Sequence, residues 1–154
     1  MYRATTVSTA FTAITTAFVL AASAAQGDGM VTYSSVDSFD DTVFALENAI
    51  IGQGLVVDHV SHVGEMLERT REDVGSDVVL FEAADVLSFC SATLSRKVME
   101  ADPTNIRFCP YDIFVSQMSG SDEVTVGYRT MPAGPMQEVE TLLDQLAREA
   151  AGAD

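Results

Sequence analysis

Both cysteines of the chain follow a phenylalanine, and they flank one short helical stretch: Phe89-Cys90-Ser91-Ala92, then Phe108-Cys109-Pro110-Tyr111. Asp85 to Cys90 reads as a strand, with Val86, Ser88 and Cys90 on one face and Leu87 and Phe89 on the other. Ser91 is suited to cap a helix through Leu94, Val98 and Ala101 that ends before Asp102-Pro103. Phe108 to Met118 reads as the longest strand, with Cys109, Tyr111, Ile113 and Val115 on its apolar face. If these two strands are antiparallel neighbours, the end of the first lies beside the start of the second, and the sulfurs meet there.

The rest of the chain supplies a core around that unit. Met30 to Val36 alternates as a strand, and Ser38 with Asp41 forms a capping-box pattern. A helix follows through Phe39, Val43, Leu46 and Ile50, stopped by Gly52 and Gly54. Leu55 to Val60 reads as a strand. Val63, Met66, Leu67 and Thr70 then line one side of a second helix, with Gly75 as its stop. Val78 to Ala84 fits a strand or a helical turn equally well, because so short an apolar run has no diagnostic period. Ser119-Gly120-Ser121-Asp122 reads as a hairpin loop leading to a strand over Val124 to Arg129. A last helix buries Val139, Leu142, Leu143, Leu146 and Ala150, and residues 151–154 are expected to fray. Strands interleaved with helices, plus one hairpin, indicate an α+β fold with helices on one face of a mostly antiparallel sheet.

Residues 1–25 read as a secretory signal peptide rather than as part of this core. Arg3 gives a positive start, Phe11 to Ala22 a short apolar run, and Ala22-Ser23-Ala24-Ala25 a small-residue cleavage point near Ala24 or Ala25. The run is short and rich in threonine for a bilayer span, an uncleaved membrane anchor being the alternative, and the mature chain is expected in the periplasm or outside the cell. Residues 26–30 form a linker, and 31–150 one domain. The net charge of −15 opposes nucleic acid and anionic membrane surfaces as partners.

Four segments together resemble a known family: Ser38-Phe39-Asp40-Asp41-Thr42-Val43, Met66-Leu67-Glu68-Arg69-Thr70-Arg71-Glu72-Asp73, Phe89-Cys90-Ser91-Ala92, and Met99-Glu100-Ala101-Asp102-Pro103 with Phe108-Cys109-Pro110-Tyr111. They are similar to the bacterial family of domain of unknown function 302, in its exported, cysteine-containing form. The resemblance implies a curved antiparallel sheet backed by helices, like one repeat of the TATA-box-binding protein. It leaves a homodimer open, and it carries over no catalytic mechanism and no nucleic-acid binding. The concave sheet face that it implies, near Cys90, Cys109 and Tyr111, is the expected surface for a small molecule or a periplasmic protein.

Three readings of the cysteines stay open. In an oxidising compartment a structural Cys90–Cys109 disulfide leads. Two buried free thiols come second. The third is a redox pair or thiolate ligand, in which Ser91 starts a helix whose positive end lowers the Cys90 pKa. No Cys-x-x-Cys spacing supports that third reading. His59 and His62 are weak candidates for a metal or haem, being far in sequence from both sulfurs. No catalytic set and no cofactor emerges, so the sequence favours a binding or accessory protein over an enzyme.

Overall fold

The structure, a computed structural model, describes residues 25–27 and 29–153. The signal peptide read over residues 1–25 therefore lies, Ala25 apart, outside the described residues. Among them, ten helices and strands run in the order β1 (Ala25–Gly27), β2 (Met30–Ser35), α1 (Phe39–Gly52), β3 (Val56–Ser61), α2 (Val63–Thr70), β4 (Phe81–Cys90), α3 (Ala92–Ala101), β5 (Tyr111–Met118), β6 (Val124–Arg129) and α4 (Gln137–Ala151). One sheet takes the order β1-β2-β6-β5-β4-β3, and each neighbouring pair is antiparallel. The fold is α+β, as the sequence indicates.

Alternation decides which residues reach the core. Leu87 and Phe89 of β4, Tyr111, Ile113 and Val115 of β5, and Val124, Val126 and Tyr128 of β6 are buried. They form one cluster with Leu46, Ala49 and Ile50 of α1 and with Val139, Leu143, Leu146 and Ala150 of α4. Those two helices close the face because each presents an apolar stripe at helical spacing. Ser38 starts α1 by accepting the Asp41 N–H at 3.2 Å. The buried Thr42 donates to the Ser38 carbonyl at 2.8 Å, which leaves its hydroxyl satisfied inside the core.

Five boundaries differ from the sequence reading, the first being α2, which ends at Thr70 and passes through a turn before Gly75. The ambiguous run divides: residues 76–80 are irregular, and β4 begins at Phe81, four residues before the strand expected from Asp85. Phe108 and Cys109 do not belong to β5, because Pro103 opens a 3-10 turn over Pro103–Phe108, capped by Asp102 accepting the Thr104 N–H at 2.9 Å. Pro110, without an N–H, also cannot extend the ladder. The C-terminus does not fray where expected: Ala151 is helical and buried, and Gly152 adopts φ 67°. The Ala153 N–H then reaches the Arg148 carbonyl at 2.9 Å, closing a Schellman-type cap. Finally, residues 26–30 are not wholly linker, since Gln26 pairs with Val31 and Met30 begins β2.

Two glycines mark close approaches. A Cβ at Gly127 would stand 2.4 Å from the ring of Phe114, which lies across the strand pair and covers the glycine. At Gly64 a Cβ would stand 2.7 Å from the backbone nitrogen of Ala84, so α2 rests directly on the backbone of β4. Alanine gains about 1 kcal/mol over glycine in helix propensity, yet Gly64→Ala should destabilise by about 1–3 kcal/mol because a backbone atom cannot step aside. Urea denaturation checks this; an unchanged or higher midpoint would mean that α2 shifts freely.

Candidate functional site

The site is built where β4 ends and β5 begins. Phe89 pairs with Tyr111 across the two strands, and Cys90 is the last residue of β4. Cys109 closes the 3-10 turn by donating its N–H to the Ile106 carbonyl at 3.1 Å. The two Sγ atoms lie 2.9 Å apart; both cysteines are half-buried and both are free thiols. That separation is within contact distance and about 1 Å longer than an S–S bond. The sequence-predicted pair is thus brought together.

Neighbouring groups set its electrostatics. Burial pushes the Cys90 thiol up to about 12, and the Cys109 sulfur and the Asp58 carboxylate add to the rise. The Tyr111 backbone N–H pulls the other way and is outweighed. The sequence argument that the start of α3 lowers this pKa does not hold. Ser91 Oγ does accept the Leu94 N–H at 3.3 Å and start α3, but desolvation of a half-buried thiol beside a second sulfur and a carboxylate exceeds a partial dipole charge.

Tyr111 is not on an accessible surface. It is 1% exposed, its ring meets Phe89 edge-on at 6.2 Å, and its hydroxyl hydrogen-bonds with Ser95 Oγ at 3.0 Å. Burial raises its pKa against that hydrogen bond. Ser95 lies 4.0 Å from the Cys109 sulfur as well and so links Tyr111 to the pair. As letters, Ser91 and Ser95 form no nucleophile motif, having no histidine in local reach and no Gly-x-Ser-x-Gly elbow, and neither the contact of Ser95 with the pair nor Asp58 is part of the sequence reading. Ser95 follows the cap Ser91 by one helical turn, a signal that was there to use. Asp58 sits at a register shift of β3 between Val57 and His59, which no periodicity reveals.

The histidines lie on β3 and at the start of α2. His59 pairs with Ser88 on the β3–β4 ladder. His62 Nδ1 lies 2.9 Å from the Asp85 carboxylate, a contact that raises its pKa. Among the described residues, no group of three His, Cys, Asp or Glu side chains converges as a metal site would require.

Two further polar clusters occur. On the sheet face turned away from α1 and α4, the Ser88 hydroxyl donates to Asp112 at 2.6 Å and the Arg129 guanidinium donates to the same carboxylate at 3.0 Å. Between α4 and the β2–β6 pair, the Asp144 carboxylate accepts hydroxyls from Tyr33 and, at 2.8 Å, Tyr128. Burial first, and Asp144 second, raise both phenol pKa values. With Tyr33 and Asp144 111 positions apart in the chain, nothing local announces that contact.

These features define a class: an antiparallel α+β domain with a contacting thiol pair at one strand end. The chain belongs to the family described as "Domain of unknown function DUF302", whose family model matches residues 31–151. A solved structure titled "Crystal structure of uncharacterized conserved protein DUF302 from Bacillus stearothermophilus" is similar, with a TM-score of 0.58. The two are 17% identical, over 82% of this chain and 96% of that one, so the likeness bears on the fold alone. No curated protein matches the sequence. Among the described residues, no helix is long and apolar enough to cross a membrane.

Proposed function

We propose that this protein is an exported binding or accessory domain whose Cys90–Cys109 pair closes as a structural disulfide outside the cytosol. The observation that carries the reading is the contact of the two sulfurs at 2.9 Å with the Cys90 thiol held up near 12. A thiol that stays protonated at neutral pH is a poor nucleophile, so the pair is not poised for rapid exchange; it closes when an extracytoplasmic disulfide oxidant takes up the two protons and two electrons of the thiols and is reduced to its dithiol. The signal-peptide pattern of residues 1–25 supports export, and export supplies the oxidising medium. The surface offered to a small molecule or a periplasmic partner is the sheet face bearing Ser88, Asp112, Phe114 and Arg129. Tyr111, buried behind that face, helps to seat the pair instead.

The test is to count thiols in protein recovered from the exported fraction, with and without reductant, and then to label the reduced native protein. The exported form should show no free thiol before reduction and two after it. In the reduced form, iodoacetamide should modify Cys90 slowly near neutral pH, with the rate rising toward pH 12 rather than near the ordinary cysteine value of 9. Stability of the reduced form follows the same sign. The raised pKa favours the folded state below pH 9, and that contribution is lost as pH rises toward 12. Rapid labelling of Cys90 at neutral pH would instead establish a thiol–disulfide exchange or thiolate-ligand protein, with Cys109 resolving.

A further inference from the structure

The segment from α2 to the start of β4 leaves an apolar surface unused by the core. Met66, Leu67, Val74, Val78, Leu80 and Phe81 line a groove of about 360 Å³. Exposure there is high: Val74 75%, Val78 62%, Leu80 47% and Met66 42%. The adjoining Val79 is 45% exposed. No residue of α2 is fully buried, although its apolar side chains fall on one face. Apolar patches rimmed by charge mark interaction surfaces.

The rim says what kind of partner fits. Glu68 and Arg71 stand in the groove wall, and the exposed carboxylates Glu65, Glu72, Asp73, Asp77 and Glu82 flank it along the chain against one further guanidinium, Arg69. Arg71 is already engaged with Glu68 at 3.2 Å. A second copy docking here through a two-fold axis would bring an identical acidic rim against this one, a repulsive pairing in a chain of net charge −15. We infer that the groove docks a basic amphipathic segment of another protein, its apolar face in the cleft and its lysines or arginines on the acidic rim. This is the helix-in-groove mode, in which side chains at helical spacing anchor the segment and charge sets its orientation. The surface differs from the sheet face and from the sulfur pair, so the inference stands or falls apart from both.

A synthetic helical Leu/Lys peptide, labelled for fluorescence anisotropy, tests it against a Leu/Glu peptide of the same pattern. The basic peptide should bind and weaken with added salt, and the acidic one should not bind. Val78→Asp and Met66→Glu should each weaken binding by about tenfold or more, with folding confirmed by near-ultraviolet circular dichroism. Val36→Asp, at a 95% exposed site outside the groove, should change nothing. Should an apolar-face variant fold poorly, the surface double substitution Glu72→Lys with Asp73→Lys serves, and it should reduce binding of the basic peptide while admitting the acidic one. Equal binding to every variant would reduce the effect to general charge attraction and overturn the inference. So would a concentration-dependent dimer in sedimentation that Val78→Asp dissociates, since the occupant would then be a second copy.

Discussion

Oxidised protein should be more stable than reduced protein by about 3 kcal/mol, and the difference should vanish in Cys90→Ser and in Cys109→Ser. The magnitude follows from the chain-entropy account, in which a cross-link closing a loop of about 20 residues removes that much freedom from the unfolded state. Native strain usually erodes such gains. Here the sulfurs already touch at 2.9 Å, so closure to about 2 Å asks for a movement of only about 1 Å. For a domain of this length the shift in melting temperature is roughly 10 °C. Chemical denaturation of the two redox forms, side by side, is the measurement. Equal midpoints, or oxidation that yields covalent dimers instead of a shifted monomer, would remove the staple and the reading built on it.

How much of this was legible in the sequence depends on the range of the forces involved. Ser38, Ser91 and Gly152 act within one helical turn of themselves, and two of the three helix ends they set were read correctly in advance. Gly152 was not, since a left-handed glycine followed by a backbone hydrogen bond from Ala153 looks, in letters, like a loose tail. Alternation placed Leu87 and Phe89 opposite Cys90 in the strand, and β4 keeps that order. Alternation also placed Tyr111 on the apolar face with Ile113 and Val115, and all three are buried; the concave face implied by the family resemblance is what put Tyr111 at the surface. The error was to assign one face of the sheet to the sulfurs. Cys109 lies outside the strand altogether and reaches Cys90 from a 3-10 turn. The Asp144 cluster and Asp58 at the bulge depend on register between distant strands, and one sequence does not specify register there.

The two Phe-Cys pairs, alike in sequence, should part sharply on substitution. Phe89→Ala should cost about 3–5 kcal/mol, the range for emptying a fully buried aromatic position. Phe89 is 0% exposed, packs edge-on against Tyr111 and belongs to the central cluster. Phe108 closes the 3-10 turn half-exposed, with the Arg107 guanidinium 4.6 Å from its ring centre. Water already reaches that ring, so Phe108→Ala should cost only about 1 kcal/mol, a surface-scale effect. Against a total stability on the order of 5–15 kcal/mol, the first change threatens folding and the second does not. The first should also diminish the gain from oxidation, because Tyr111, freed from Phe89, no longer holds the start of β5 against the end of β4. A double-mutant cycle between Phe89→Ala and Cys109→Ser, read by urea denaturation of oxidised protein, measures that coupling. Strict additivity would show that the sulfurs meet without help from the aromatic pair, and equal costs at Phe89 and Phe108 would contradict the burial on which the site rests.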